Sequence, residues 1–465
     1  MSTIGPALSA GTLPPSKVKG PATGSRLTIY VLRAGELVAL VLFLSFCIMW
    51  VQWQTSGPDV SRVSGDFASF WTAGQLALQG RAADAYREVP HFFAQLALHH
   101  DPGWGYLAFF YPPFFLLLCT GLALIGYVPA LGLWLVATVA GYAAALRGLA
   151  KHLLPEPLHK EGQRIWLLFL GYPAVMVNAG FGQNGFLSAG LFGGAAIWLD
   201  RRPELAGLCL GCLAYKPQLG LIVPLALAAA GRWRCFAAAS VTVLALSALA
   251  TLAFGVDIWP AFFAAMADAR RNWMEFPNPL YLRIWITVFG LVRLHDGSLV
   301  LAYTAQAVVS VIAAVLLVRT LLRRSPGKRS GVASDMGSRM GSSMGSSTGS
   351  GMAEIAAIAA CVPFCSPFML EYDLVILAVP MLWLLAQALR DGFRPGERLA
   401  LIGAYMAPVL FKVSLFNDAL KVSVIVAAAL LYIMVLRRVA EPDALPDPRG
   451  RTSGNLVPRE AGATL

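Results

Sequence analysis

The chain carries few charged residues. Of its 465 residues, only 13% are Asp, Glu, Lys or Arg, whereas 57% are hydrophobic. A soluble domain carries about 25% charged residues. This shortage excludes an ordinary soluble domain, and repeated apolar stretches near the ~20 residues that span a bilayer indicate membrane helices. Because each stretch is far longer than the ~10-residue strands of a membrane barrel, the sequence predicts an all-α polytopic membrane protein.

The sequence also lacks the patterns that indicate a metal site, a nucleic-acid partner or a cleaved leader. It contains no D-x-D pair, its six histidines form no ligand pattern, and Cys209 and Cys212 have no second Cys or His pair. The first apolar run is not followed by a small-residue cleavage site, so it is interpreted as an anchor. The net charge of +11 lies in short loops and tails, which is typical of cytoplasmic loops. We expect no metal, no cofactor and no nucleic acid.

The distribution of basic residues predicts the topology. Lys17, Lys19, Arg26 and Arg33 precede the first apolar run, which places the N-terminus in the cytoplasm and residues 54–105 in an outer loop of the cell (inner) membrane. About twelve crossings are expected. The runs lie at 37–53, 165–181, 184–199, 205–215, 218–230, 234–254, 298–318, 354–368, 373–389, 398–412 and 420–436, with 106–149 crossing once or twice.

Composition divides the chain into five parts. Residues 1–25 are predicted to be a disordered cytoplasmic tail and residues 26–318 a first transmembrane module that carries the functional residues. Residues 319–352 include the low-complexity run "MGSRMGSSMGSSTGSGM", which is typical of a cytoplasmic linker. Residues 353–438 form further transmembrane helices, and residues 439–465 a cytoplasmic tail.

The predicted topology places several polar turns together on the outer side. The apolar run 205–215 is only about 17 Å long as a helix, which is too short to span a core of about 30 Å. Interrupted helices of this kind are tolerated where they line a water-filled cavity or are buried in protein, and the sequence favours a cavity open to the outer face. The outward segments are Asp66 with "FFYPPF" (109–114), "GFGQNG" (180–185), "YKPQ" (215–218), "DARRNW" (268–273) and "SPFMLEYD" (366–373).

Asp66 begins a segment that predicts an amphipathic helix on the outer leaflet. Near one face of this helix fall Phe67, Phe70, Trp71, Gly74 and Leu78, and aromatic residues on such a face are expected at a membrane interface. Asp66 is either the N-cap of this helix or a carboxylate held at the membrane surface for chemistry. Spacing alone does not separate the two interpretations.

The outward cations have two interpretations as well. Lys216 precedes Pro217 between two short helices, where it would either snorkel or bind an anion. Arg270 and Arg271 would contact lipid headgroups or the same anion. The neutral residues also have plain structural uses, since Gln183 and Asn184 could simply start a helix.

In their order along the chain, these motifs resemble glycosyltransferase family 87. The resemblance is carried by "GDFASFWTAG", "YPPF", "GFGQNG", "YKPQ" and "SPFMLEYDL" and covers about residues 60–390. It implies a GT-C-type helical bundle and a polyprenyl-phosphate-mannose-dependent α-1,2-mannosyltransferase-like activity. The family's catalytic aspartate matches Asp66. A second functional histidine of the family has no counterpart, because Tyr372 and Asp373 occupy that region.

The resemblance implies transfer of a hexose, expected to be mannose, from a polyprenyl-phosphate sugar to a lipid or glycan acceptor outside the cytoplasm. Because only a monophosphate would leave by direct displacement, we expect the transfer to be inverting and metal-independent. Asp66 would act as base, and Lys216, Arg270 and Arg271 would bind the donor phosphate. A transporter or flippase of lipid-linked glycans, or an inactive envelope scaffold, are the alternatives. The expected substrate-binding residues are Phe70, Trp71, Tyr111, Gln183, Asn184, Gln218, Tyr372 and Asp373.

Overall fold

The computed structural model describes residues 65–99, 105–154, 165–276, 282–324, 349–414 and 421–441, together with parts of 33–48. The predicted tail 1–25, nearly all of the tail 439–465, much of the first crossing at 37–53 and most of the linker at 319–352 lie outside the described residues. The prediction that the last of these segments is a tether therefore stays a prediction.

The described residues form helices joined by short turns. Short 3₁₀ or π-helical turns lie at Ala82–Tyr86, Ile165–Phe169, Leu213–Tyr215, Arg270–Glu275, Val362–Phe364 and Glu371–Leu377. Within the described ranges, the β-type pairing is one isolated bridge between Trp285 and Leu370. The α-helices are α1 (Gly65–Leu78), α2 (Glu88–His99), α3 (Pro113–Leu122), α4 (Tyr127–Leu153), α5 (Pro173–Phe181), α6 (Gly185–Trp198), α7 (Pro203–Cys212), α8 (Pro217–Gly220), α9 (Val223–Ala229), α10 (Trp233–Phe254), α11 (Ile258–Ala269), α12 (Val288–Leu294), α13 (Leu299–Arg324), α14 (Ser350–Cys361), α15 (Ala378–Asp391), α16 (Glu397–Ser414) and α17 (Lys421–Ala440).

In the described part of the chain, five helical stretches are long and apolar enough to cross a membrane. This confirms an all-helical membrane protein, whereas the count of twelve crossings is not confirmed. Shorter apolar helices such as α6 and α7 occupy several of the other predicted crossings. The five stretches are Tyr127–Leu153, Trp233–Phe254, Leu299–Arg324, Glu371–Asp391 and Lys421–Ala440.

The segment 106–149, for which the sequence predicts one or two crossings, forms two helices. α3 ends at Leu122 and α4 begins at Tyr127, directly after Gly126. Pro113 opens α3, a position where its missing N–H costs no helical hydrogen bond. The second helix, α4, is one of the five stretches long enough to span the membrane.

Glycines allow two pairs of helices to approach closely. A Cβ at Gly207 would lie 2.5 Å from the Cβ of Ala238, and one at Gly211 would lie 2.6 Å from the Cβ of Thr242. This small-xxx-small spacing packs α7 against α10, the usual device of helices that associate within lipid. In the same way, a Cβ at Gly74 would lie 2.2 Å from the carbonyl oxygen of Cys119, so α1 and α3 meet almost backbone to backbone.

The buried apolar side chains form two main clusters. The larger cluster packs α6, α14, α15 and α17 together, around residues such as Phe186 and Leu374. The second packs α1, α3 and the start of α4 around Phe67 and Phe115. The polar turn between α5 and α6 lies where the two clusters meet, because Phe186 belongs to the first and the neighbouring Tyr215 belongs to the second.

The first helix is enclosed by protein and does not lie on a surface as predicted. Phe67, Phe70, Thr72 and Leu76 of α1 are all buried although they point in different directions. α3, the 3₁₀ turn at Ala82–Tyr86 and α2 cover this helix. The aromatic residues that suggested an interfacial helix are therefore packing residues of a core.

The second helix, α2, has its polar side facing inward. His91, Gln95 and His99 are buried, whereas Val89 and Phe93 are largely exposed. The His91 Nε2 atom lies 2.9 Å from the Thr72 hydroxyl, which ties α2 to α1. A helix with polar residues inside and apolar residues outside is suited to contact with lipid.

Candidate active site

The turn between α5 and α6 presents two amide side chains. Gly182 ends α5 in the left-handed region, at φ 66°, which glycine adopts without strain. The Asn178 side chain then donates to the Gln183 carbonyl at 3.0 Å and accepts from the Gly185 N–H at 2.7 Å. These bonds hold the backbone of the turn, and the side chains of Gln183 and Asn184 bond to other segments of the chain.

The Gln183 amide connects the first helix to this turn. Its Nε2 donates to Asp66 Oδ2 at 2.8 Å, while its Oε1 accepts from the Tyr111 hydroxyl and the Asn184 N–H, both at 3.3 Å. A backbone N–H can only donate, so the Asn184 N–H fixes which end of the amide faces the carboxylate. Asp66 therefore accepts a directed hydrogen bond, although it is 117 residues away from Gln183 in the chain.

The surroundings of Asp66 disfavour its ionised form. Burial raises the pKa of Asp66 to about 6, although the bond from Gln183 and the charge of Lys216 act in the opposite direction. Asp66 is the second residue of α1, and the carboxylate is bound by another segment of the chain. This arrangement favours the chemical interpretation of Asp66, because a carboxylic acid with a pKa near neutrality can exchange protons with a substrate.

A buried ion pair lies on the other side of the turn. Lys216 Nζ is 2.5 Å from Asp373 Oδ1, and the side chains are 3% and 0% exposed. Lys216 also donates to Asn184 Oδ1 at 3.2 Å and lies 4.8 Å from the centre of the Tyr372 ring. Asp373 Oδ2 accepts from the Leu370 N–H, so the carboxylate also caps the turn that begins at Glu371.

Aromatic and hydroxyl groups enclose this polar network. The Tyr215 hydroxyl donates to the Asn184 carbonyl at 3.0 Å and lies 2.6 Å from the Ser188 hydroxyl. The rings of Tyr111 and Tyr215 stack at 6.4 Å, and Phe115 packs against both rings. Burial raises the pKa of Tyr111 well above its usual value, so its hydroxyl stays protonated as the donor to Gln183.

The structure brings most of the predicted site residues into this network, but not all of them. Phe70 is buried among aromatic rings, and the Trp71 indole donates to the Ile125 carbonyl at 3.0 Å. Both residues therefore serve packing in this structure. Gln218 is half-buried in α8, two residues beyond Lys216.

The two predicted phosphate-binding arginines lie on an exposed segment. Arg270 and Arg271 are 66% and 62% exposed and pair with Glu275 and Asp268 of the same segment. Their segment nevertheless approaches the network, because the ring of Trp273 contacts Phe110 at 5.6 Å. Phe110 is the neighbour of Tyr111.

The sequence patterns did not single out the residues that hold this network in place. Asn178, Ser188 and Tyr215 all hold the turn or its carbonyl groups. Asn178 and Ser188 are polar residues within apolar segments, a signal that marks functional positions in membrane proteins. Within the described ranges, no group of three His, Cys, Asp or Glu side chains is placed to hold a metal.

A buried carboxylate, an ion pair and hydroxyl groups inside a bundle of apolar helices define a membrane protein with an internal polar site. Residues 109–337 match the family model for Glycosyltransferase family 87, which supports membership of the chain in this family. The match indicates a glycosyltransferase, and the apolar helices indicate that it lies in a membrane. No curated protein and no solved structure shows a significant match to the chain.

The matched region contains part of the candidate site. It includes Tyr111, the Gln183–Asn184 turn and Lys216, whereas Asp66 and Asp373 lie outside residues 109–337. The contacts of Gln183 with Asp66 and of Lys216 with Asp373 are what join these outlying residues to the matched segment.

Proposed function

We propose that the chain transfers a hexose, with mannose as the expected sugar, from a polyprenyl-phosphate sugar to a lipid or glycan acceptor. The bundle would be of the GT-C type, with the reaction at the extracytoplasmic face of the cell membrane. The observation that carries the proposal is the hydrogen bond from Gln183 to Asp66, in a network that also contains the buried pair of Lys216 and Asp373. It combines a carboxylic acid of pKa about 6 with a buried cation.

Asp66 is the proposed general base. Its carboxylate takes the proton from the acceptor hydroxyl while that oxygen forms a bond to the anomeric carbon of the sugar. The bond between the anomeric carbon and the phosphate oxygen breaks, and its electron pair leaves with the polyprenyl phosphate. Direct displacement of this kind inverts the anomeric centre. Only a monophosphate leaves, so the reaction does not require a metal ion.

Lys216 is the proposed partner of the leaving phosphate. An ammonium group has three N–H donors, and two of those of Lys216 are directed to Asn184 and Asp373. The remaining N–H has no hydrogen-bond partner among the described residues. It would bind a phosphate oxygen as the charge of that oxygen grows, and a donor of this kind contributes about 3–4 kcal/mol. Arg270 and Arg271 would bind the same phosphate from the exposed segment.

The arrangement of charges along α6 supports an active site on the outer side. Asn184 precedes this 14-residue helix and Asp200 follows it, so they lie at opposite ends of a helix about 21 Å long at 1.5 Å per residue. At the Asp200 end, the Arg232 guanidinium binds Asp200 at 2.7 Å and Glu354 at 2.8 Å. This end also carries Arg201, Arg202 and Arg234, and such a concentration of basic residues agrees with a cytoplasmic position.

The test is transfer by the purified chain in lipid nanodiscs that contain radiolabelled polyprenyl-phosphate mannose or glucose. Asp66→Asn should lower the rate of glycolipid formation at least about 100-fold, the usual contribution of a general base. Asp84→Asn is the matched control, because Asp84 lies in the same outer segment but pairs with the surface residues Arg81 and Arg87. Addition of EDTA should leave the rate unchanged.

Transfer that survives in Asp66→Asn would refute the proposal. Movement of a lipid-linked glycan between leaflets, with no glycosidic bond made and no dependence on Asp66, would instead indicate the transporter class. The two outcomes are separated by extracting the lipids and asking whether the label has moved to a new glycolipid.

A further inference from the structure

A second ion pair lies beside the candidate active site and has no role in the mechanism above. Lys412, in the last turn of α16, is 2.5 Å from Glu371 Oε1. The lysine side chain is 47% exposed, whereas the glutamate is buried. The pair therefore presents a cation at the surface and a carboxylate beneath it.

The carboxylate of this pair is only half satisfied. Glu371 is 4% exposed, and its Oε2 atom has no hydrogen-bond partner among the described residues. A buried polar atom without a partner costs free energy that a bound ligand recovers when it supplies the missing hydrogen bond. Glu371 Oε2 can only accept, so the missing group is a donor such as a hydroxyl.

An aromatic ring completes the cluster. Phe181, the last residue of α5, is 39% exposed, and Lys412 Nζ lies 5.7 Å from the centre of its ring. On its other side, Phe181 lies 6.3 Å from the ring of Tyr372. The cluster thus offers one acceptor, one cationic donor and one accessible apolar ring.

This set of groups matches a neutral sugar better than an anion. Sugar hydroxyls can donate to Glu371 and accept from Lys412, while the C–H face of the sugar packs on the ring of Phe181. A phosphate or a sulfate would meet Glu371 Oε2, an unpartnered carboxylate oxygen that repels an anion and offers it no hydrogen-bond donor.

We propose that Phe181, Glu371 and Lys412 form the subsite that binds the sugar of the glycan acceptor. The proposal rests on the proposed function, because it assigns an acceptor to that reaction. The position is suitable: Tyr372 lies between this cluster and Lys216, and Phe181 precedes the turn from which Gln183 binds Asp66. The subsite therefore adjoins the catalytic carboxylate without including it.

The experiment uses the full-length chain in nanodiscs and measures acceptor and donor dependence separately. The acceptor probes are n-octyl glucoside, n-octyl mannoside and n-octyl galactoside below their micelle-forming concentrations, with a radiolabelled polyprenyl-phosphate sugar as donor. Glu371→Gln, Lys412→Gln and Phe181→Leu should each raise the KM for the best glycoside about tenfold. The KM for the donor and kcat should stay within twofold.

The matched control is the ion pair of Arg234 and Glu204, which has the same 2.5 Å distance but is exposed on both sides. Arg234→Gln and Glu204→Gln should leave the acceptor KM unchanged. Lys412→Arg, which keeps the charge, should restore much of the acceptor affinity lost in Lys412→Gln. If Glu371→Gln does not fold, as shown by its thermal unfolding, the other two variants decide the question.

The subsite would be overturned if the acceptor KM is unchanged in the variants that fold. It would also be overturned if only the donor KM increases, or if the glycosides do not bind. Binding of the glycosides to Asp66→Asn, which should not turn over, separates this failure from failure of the proposed function. If Asp66→Asn loses transfer while glycoside binding does not depend on Glu371, only the subsite is wrong.

Discussion

The ammonium nitrogen of Lys216 lies 2.5 Å from a carboxylate oxygen of Asp373, and both side chains are buried, although 157 residues separate them in the chain. The pair joins the region that matches the family model to the last part of the site. Removing one member of such a pair leaves an uncompensated charge in the interior, whereas removing both charges together need not destabilise the fold.

Lys216→Met is therefore expected to lower the free energy of unfolding by about 3–5 kcal/mol, because Asp373 would be buried without its partner. The double variant Lys216→Met with Asp373→Asn should regain most of that stability but not the rate of sugar transfer. Thermal unfolding in detergent and the transfer assay measure the two effects. Equal stability of the single and double variants would show that the pair is not energetically coupled.

The rate of transfer should depend on the ionisation of Asp66. Since the pKa of Asp66 is about 6, the base is protonated and inactive at lower pH, and kcat/KM should rise through pH 6 to a plateau. Because folding raises the pKa of Asp66 from 3.8 to about 6, ionisation of Asp66 lowers the stability of the folded protein. This loss of stability is absent below pH 3.8 and complete above about pH 6. Asp66→Asn should then be inactive yet more heat-stable than the parent at pH 8. Lower stability of this variant at pH 8 would contradict the raised pKa.

Gln183 should set the position of this pH profile. Its hydrogen bond favours the ionised form of Asp66, so Gln183→Ala should move the acidic limb to higher pH, and Gln183→Glu should move it further by adding a like charge. Gln306→Ala is the matched control, because Gln306 is another buried amide that bonds the backbone, at Phe289 and Phe364. If Gln183→Ala loses activity but the acidic limb of its pH profile does not shift, then Gln183 contacts the substrate and does not act by positioning Asp66.

Shortening the low-complexity linker should be tolerated only up to a defined point. The Gly351 N–H donates to Asp200 Oδ2 at 2.8 Å, and Ser350 donates to Glu354 at 2.9 Å. The start of α14 is therefore attached to the two carboxylates that bind the Arg232 guanidinium. Deletion of residues 330–345 should leave transfer and thermal stability unchanged. Deletion of 325–351 should lower both, in contrast to what the sequence alone suggests, because it removes these two anchoring residues. Equal transfer rates and equal thermal stabilities of the two deletion variants would contradict an anchoring role for Ser350 and Gly351.

Helix boundaries were largely predictable from apolar runs. The runs at 234–254 and 373–389 correspond to helical stretches at Trp233–Phe254 and Glu371–Asp391, because side chains that face lipid must be apolar over the whole width of the bilayer. The linker was less well bounded, since α13 continues to Arg324, six residues into the predicted segment. Charged residues are common at the ends of membrane helices, so they do not mark where a helix stops.

The environment of the first helix was not predictable from its composition. Phe67, Phe70 and Trp71 suit an interfacial helix and a buried helix equally well, and only packing against α3 and α2 decided between them. Gly74 carried the missing information, because a glycine in a helix can indicate a close approach by another backbone. The same sequence signal occurs at glycines with no neighbour, such as Gly121.

The sequence by itself determined that this chain is a helical membrane protein and which short polar motifs interrupt its apolar runs, because hydropathy and local spacing are properties of neighbouring residues. The tertiary structure alone decided which of those motifs meet. Asp66 with Gln183 and Lys216 with Asp373 are contacts across more than 100 residues, and Glu371 became notable only because one of its oxygens has no partner where it is buried. Partners and burial depend on the packing of distant helices, which no local pattern specifies.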